Sequence, residues 1–163
     1  MRFNNRAGQR GFTLIELVVI IVVLGVLAAV AIPKLFKVTE EAEKAAVGNM
    51  VSTLESSMSM YVAKQFSRGQ TIAVHNPFDD LSNTPTNYKG LNDPVTIVNT
   101  PDGNWSWRTT GNWIMYNPKS PITGGWVNGA ERFIIYQVQP VLDGVDTVGL
   151  KLSTTAPYVY DWQ

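Results

Sequence analysis

Cysteine is absent from the 163 residues, and histidine occurs once, at His75. The first absence excludes a disulfide framework, thiolate metal sites and thiol catalysis. With one histidine and no P-loop, GxSxG or HExxH pattern, the chain lacks a residue set for nucleophilic or metal-assisted catalysis, and no enzyme is expected. Charge is scarce too: charged residues make up 16% of the chain, with 13 basic and 13 acidic side chains. That balance hides an asymmetry. Arg2, Arg6 and Arg10 all precede Phe12, so the chain from Phe12 onward has 10 basic and 13 acidic side chains, a net of −3. Such a domain offers no electrostatic footprint for nucleic acid. No internal repeat or low-complexity tract is present.

What the chain does have is one long apolar run. Residues 12–32 read FTLIELVVIIVVLGVLAAVAI, with Glu16 the only ionisable side chain. As an α-helix the run is about 31 Å long, enough to cross a bilayer core. Its β-branched content does not prevent this, because lipid cannot satisfy the backbone of an open strand. Arg2, Arg6 and Arg10 favour a cytoplasmic N-terminus, a signal that Lys34 and Lys37 weaken without cancelling. Glu16 is the anomaly, since a carboxylate near the middle of a span costs about 2.5–3.5 kcal/mol. Its offset gives it a use. Were the chain cut between Gly11 and Phe12, Glu16 would sit one helical turn from a new α-ammonium group. Between staggered subunits the two would form an ion pair buried in hydrocarbon, which penalises any arrangement that does not make it.

Gly11-Phe12-Thr13-Leu14-Ile15-Glu16-Leu17, after a short basic leader, resembles the processing motif of type IV prepilins and the related pseudopilins. The resemblance covers about residues 8–35, roughly a fifth of the chain, and implies cleavage after Gly11 and N-methylation of Phe12 by a membrane prepilin peptidase. It gives Glu16 a role in assembly with the N-terminus of an adjacent subunit. Gly25 and Pro33 fall where that family carries a glycine and a proline, which implies helix flexibility there and makes Gly25–Pro33 the segment expected to extend under load. The implied partners are copies of the chain and other pilins, the peptidase/methyltransferase, an inner-membrane assembly platform and membrane lipid. The implied location is the bacterial inner membrane, as a single-pass precursor with its N-terminus cytoplasmic and its head periplasmic, and then a pilus or pseudopilus. Two rivals compete for the segment. Ala29-Val30-Ala31 offers an ordinary signal-peptidase site, but the apolar stretch is long, Glu16 interrupts its start and Pro33 follows closely. A plain membrane anchor leaves GFTLIEL to chance.

The remainder has the layout of a helix on a sheet. Val47, Met50, Val51, Leu54, Met58, Tyr61 and Val62 recur at helical spacing and form one apolar stripe. Glu40, Glu41, Glu43, Lys44, Glu55 and Lys64 supply polar positions, and Gly69 is a helix stop. One helix over 12–68 is predicted, kinked at Pro33. Residues 70–100 read as loop, punctuated by Asn76-Pro77, Asn83 to Pro85 and Asn92-Asp93-Pro94. Antiparallel strands are expected around Trp105 and Trp107, at Trp113–Tyr116, at Phe133–Val138 and at Thr147–Leu152. A Pro/Gly-rich loop is expected from Asn117 to Gly129, a turn at Asp143-Gly144, and a last edge strand with Tyr158, Tyr160 and Trp162. The predicted class is α+β, a long N-terminal helix packed on a small antiparallel sheet. It divides as leader 1–11, membrane and filament-core helix 12–33, amphipathic helix 34–68 and head 69–163. Major pilins often close the C-terminal region with a disulfide; here packing and hydrogen bonds of the final strand must hold it.

Head chemistry reads as weak. His75 beside Asn76-Pro77 is a turn or surface residue, and Asp79-Asp80 is a solvated pair. Five tryptophans and six tyrosines invite a sugar-binding reading, but a sheet of this size needs large side chains for its core, and alternation assigns about half of them there. No cofactor is expected. Calcium, which some pseudopilins bind in a head loop, is not predicted, because Asp143 and Asp146 offer only two carboxylates to an ion that takes six to eight oxygens. The expected function is a structural subunit of a type IV pilus-like filament. A pseudopilin of a type II secretion or competence system is the alternative, and a membrane-anchored binding module, with an uncut N-terminus and no polymer, is the third reading. Added calcium and added chelator are expected to leave the thermal midpoint unchanged; a calcium-dependent rise would locate an ion in the head.

Overall fold

The computed structural model describes residues 11–93, 100–129, 131–154 and 158–162. Residues 1–10 of the predicted leader, with its three arginines, lie outside the described residues. The chain divides into two compact units, one ending at Thr39 and one from Glu40 to Gln163. A single helix, α1 (Leu14–Ser67), contributes to both, which agrees with the predicted 12–68 helix to within two residues.

In the first unit every residue from Gly11 to Thr39 is exposed. Over residues 17–32 the helix is apolar all round, so no face of that part is left to point at water. It is long and apolar enough to cross a membrane. The helix assignment runs through both Gly25 and Pro33.

In the second unit the same helix changes character. Val47, Leu54 and Met58 are buried, and Met50, Val51, Tyr61 and Val62 are half-buried, as the predicted stripe requires. Gly69 ends the helix with φ +62°. Its N–H donates to the Phe66 carbonyl (3.1 Å) and that of Gln70 to Gln65 (3.0 Å). This is the paired closure of a Schellman cap, which needs a left-handed residue at this position.

The head is a mixed sheet. The strands are β1 (Tyr88–Leu91), β2 (Asn104–Arg108), β3 (Trp113–Asn117), β4 (Ile122–Gly124), β5 (Trp126–Asn128), β6 (Glu131–Asp143), β7 (Asp146–Ser153) and β8 (Tyr160–Trp162). The main sheet runs β1-β2-β3-β6-β5, with β7 also on β6, and β4 pairs with β8 in a separate ribbon. Three expectations need correction. The 70–100 stretch is not all loop: it holds a 3₁₀ turn at Pro77–Asp80 and strand β1. β1 pairs with β2 in parallel, so the sheet is not purely antiparallel. The Asn117–Gly129 stretch carries β4 and β5. In each case the strand has only three or four residues, too few for an alternation pattern to show, and tertiary contacts fix it. Tyr88 of β1, for example, stacks on Phe78 at 4.0 Å and 11°.

Both faces of the sheet are covered. Trp105, Trp107, Ile114, Tyr116, Ile134, Tyr136 and Val138 pack with Val47, Leu54 and Met58 of α1. The alternate residues Met115, Phe133 and Ile135 form a second cluster, covered by Trp113, Trp126 and Tyr158. Each fully buried aliphatic or phenylalanine side chain is worth about 1.5–3 kcal/mol. The C-terminus is held by β4–β8 pairing and by the Tyr136–Tyr160 hydroxyl contact at 2.5 Å. Gly124 permits this, since a Cβ there would lie 2.0 Å from the Val159 carbonyl oxygen.

Glu43 makes a polar contact between the helix and the head. The Glu43 carboxylate accepts hydrogen bonds from the Tyr116 hydroxyl (2.7 Å) and from the backbone N–H groups of Lys119 (2.7 Å) and Ser120 (2.8 Å). Burial raises its pKa, but the hydrogen bonds from Ser120, Lys119 and Tyr116 outweigh burial and hold it below the usual 4.5. Burial and the facing carboxylate push the Tyr116 phenol up, so it stays a donor. A depressed carboxylate stabilises the fold above its unfolded pKa and loses that contribution as pH falls through the folded one. Glu43→Ala is therefore expected to cost about 2 kcal/mol near neutral pH and progressively less below pH 4.5. Urea unfolding in detergent, followed by tryptophan fluorescence at both pH values, measures the difference.

Candidate functional site

Gly11, Phe12 and Thr13 precede the first helical residue, so the Gly11–Phe12 peptide bond lies outside the α1 hydrogen-bond ladder. All three residues are exposed. A bond in this position can be drawn into an extended conformation without breaking a helical turn. A Cβ at Gly11 would meet no atom within 4 Å. Among the described residues packing therefore places no demand for glycine there, and the same holds at Gly25.

Thr13 and Glu16 form a reciprocal cap. The Thr13 N–H and hydroxyl both donate to Glu16 Oε2 at 2.8 Å, and the Glu16 N–H donates to Thr13 Oγ1 at 3.3 Å. This is a capping box: the side chains at the cap and three residues on satisfy each other's backbone donors where the helix has no preceding carbonyls to use. The carboxylate also lies at the positive end of the helix dipole. Its second oxygen, Oε1, accepts no hydrogen bond among the described residues. Glu16 is thus anchored through one oxygen and open at the other. Thr13 joins the site here although the sequence reading gives it no role of its own; the T-x-x-E spacing at the head of an apolar run is the signal that marks it.

Candidate groups in the head come together less. His75 Nε2 lies 2.6 Å from Asp80 Oδ2, and its ring centroid is 4.1 Å from that of Tyr61. Asp79 instead accepts from the Asn76 amide at 2.9 Å, so the two aspartates of the pair face different partners. Asp143 and Asp146 flank the exposed turn between β6 and β7. No group of three metal-ligating side chains forms among the described residues. Trp105 and Trp107 are core residues, and Trp113, Trp126 and Trp162 are half-buried against other aromatic rings. Glu43 is legible in the sequence only as one polar helix position, because its partners lie more than 70 residues away.

Thr13→Val removes the hydroxyl that caps the Glu16 amide. An N-cap of this kind contributes about 1 kcal/mol, so the Glu16 N–H is expected to exchange with deuterium about fivefold faster in detergent. Amides beyond the first turn should be unaffected, and unchanged exchange at Glu16 would show the cap to be idle.

Comparison with known proteins bears on this end of the chain. No curated protein matches the chain, and no solved structure matches it. Residues 6–32 match the family described as the prokaryotic N-terminal methylation motif, a span that contains the Gly11–Phe12 bond, the Thr13–Glu16 cap and the apolar run. The chain carries the prepilin-type processing motif shared by type IV pilins and pseudopilins.

Proposed function

We propose that the chain is a structural subunit of a type IV pilus-like filament, cut between Gly11 and Phe12, methylated on Phe12 and polymerised through residues 12–33. The observation that carries this reading is the join of two features. A matched methylation motif opens a helix whose apolar residues are left uncovered by the chain's own fold. A surface of that extent needs lipid or other helices around it. In the membrane it has lipid, with the leader in the cytoplasm and the head in the periplasm. In a filament it has the same segment of neighbouring copies.

Cleavage supplies the missing partner of Glu16. The new Phe12 α-ammonium is a cation, and among the described residues one Glu16 carboxylate oxygen has no donor. A pair formed between neighbours in hydrocarbon is weak evidence of net stability but strong in register, because misplaced subunits leave a charge unpaired. An ATP-driven assembly platform, not encoded in this chain, would lift subunits from the membrane. Gly25 and Pro33 lower the cost of local unwinding, one by poor helix propensity and the other by a missing N–H donor. They make the segment between them the part that extends under tension.

Intact-mass and N-terminal analysis of the protein from membranes of a host with a prepilin peptidase tests the first step. The expected chain begins at Phe12 and is heavier by one methyl group. A chain beginning at Met1, or at Ile32 after ordinary signal cleavage, overturns the reading. Glu16→Ala is expected to insert and fold normally yet give few or no filaments, counted by electron microscopy of sheared fractions. Filaments at the normal number would remove Glu16 from assembly.

A further inference from the structure

One tripeptide of the head is not used by the function proposed above. Asn104-Trp105-Ser106 is an asparagine followed two residues on by serine with no proline between, the acceptor pattern for N-linked sugar. Asn104 is the one asparagine of the chain placed in this way. Such a triplet also arises by chance, so its setting has to decide. Asn104 is the first residue of β2, directly after Gly103 at φ +75°, and its side chain is only partly buried. Its amide nitrogen donates to the carbonyls of Pro101 (3.1 Å) and Asp102 (2.9 Å). An N-linked sugar replaces one of the two amide hydrogens and leaves the other to donate. There is room for it. Asp102 and Asn117, the residue paired with Asn104 across β2 and β3, both line an open cleft of about 440 Å³. Lys119, Ser120, Glu131 and Arg132 add polar groups there that can meet sugar hydroxyls.

Ser106 supplies an independent observation. It is fully buried opposite Met115 of β3, and its hydroxyl has no hydrogen-bond partner. A buried hydroxyl without a partner costs stability, so alanine would serve the folded strand at least as well. The folded head thus gives no reason for serine at this place, whereas the acceptor pattern requires a hydroxyl two residues after the asparagine. Trp105 is buried too, so the triplet is open to an enzyme only before β2 packs. Chain order allows this. Trp105 shares its core cluster with Ile134, Tyr136 and Val138 of β6. In a head that leaves the membrane with its N-terminal end first, residues 104–106 emerge well ahead of β6.

We propose that Asn104 carries an N-linked glycan, transferred on the periplasmic side from a polyprenyl-pyrophosphate-linked donor before β2 packs. In the transfer Asn104 Nδ2 forms a bond to the anomeric carbon of the first sugar as that carbon's bond to the pyrophosphate oxygen breaks. The pyrophosphate leaves with the bonding electrons, one amide proton passes to a base of the transferase, and nothing is oxidised or reduced. Once the head has folded, the first sugar lies against the cleft lined by Asp102 and Asn117. The inference rests on the proposed function only in placing the head on the periplasmic side.

Intact mass and peptide fragmentation of the full chain, taken from membranes of the bacterium that makes it, test the site directly. The expected mass exceeds that of the polypeptide by whole sugar residues, all of them on Asn104. Asn104→Gln and Ser106→Ala are each expected to lose the addition, and Ser106→Thr to keep it. Made in a host without the transferase, Ser106→Ala is expected to melt no lower than the native chain, which separates loss of the acceptor pattern from misfolding. The proposal is overturned by a bare polypeptide, by sugar confined to other residues, by sugar retained in Ser106→Ala, or by a lower midpoint for sugar-free Ser106→Ala. The N-terminal residue of the same samples is determined in parallel. A bare chain cut at Phe12 sinks the glycan alone, whereas a chain beginning at Met1 sinks the filament reading whether or not Asn104 is modified.

Discussion

One helix has to live in two solvents, and that constraint organises the molecule. From Gly11 to Thr39 every residue of the chain is exposed, and the apolar run within this stretch cannot be left in water. From Val47 onward the same helix presents a single buried stripe. The first half has no polar face with which to solve its problem by folding, so the solution has to come from outside the chain, as lipid or as other helices. The second half solves it internally by carrying a sheet.

How the sheet is carried follows from periodicity. The helical stripe meets residues two apart on β2, β3 and β6, so Trp105, Trp107, Ile114, Tyr116, Ile134, Tyr136 and Val138 share one core with it. The intervening residues then need a cover of their own, which Trp113, Trp126 and Tyr158 provide around Met115, Phe133 and Ile135. The aromatic richness of the chain is thereby used mainly for packing. Glu43 adds direction to this apolar contact. Its three hydrogen bonds tie α1 to Tyr116 and to the turn after β3, and such a network specifies one placement where apolar area alone tolerates several.

The legible parts of this fold are those with long-range periodicity or an unambiguous stop. The α1 stripe, the Gly69 cap, the β6–β7 hairpin and the two tryptophans of β2 can be read from spacing alone. The strands β1, β4 and β5 cannot, because three or four residues between prolines, glycines and asparagines carry no pattern, and their pairing is decided by partners distant in sequence. The parallel direction of β1 is likewise a property of the chain's route and not of Tyr88–Leu91. At the N-terminus the motif is readable, and it directs attention to a donor that cleavage would create. The intrachain partner of Glu16 is a different one: the Thr13 N–H and hydroxyl, already in place three residues back.

Those two partners of Glu16 are not rivals. A carboxylate has about four lone-pair sites, and among the described residues the Thr13 cap occupies Oε2 and leaves Oε1 without a donor. The backbone N–H and hydroxyl of Thr13 give that carboxylate two charge-assisted donors from its own turn. On this view the proposed subunit keeps its carboxylate oriented while it waits in the membrane. In the proposed filament the ammonium of a neighbour would add to a half-satisfied site without displacing the Thr13 donors, and Thr13 would be the positioning residue for that contact.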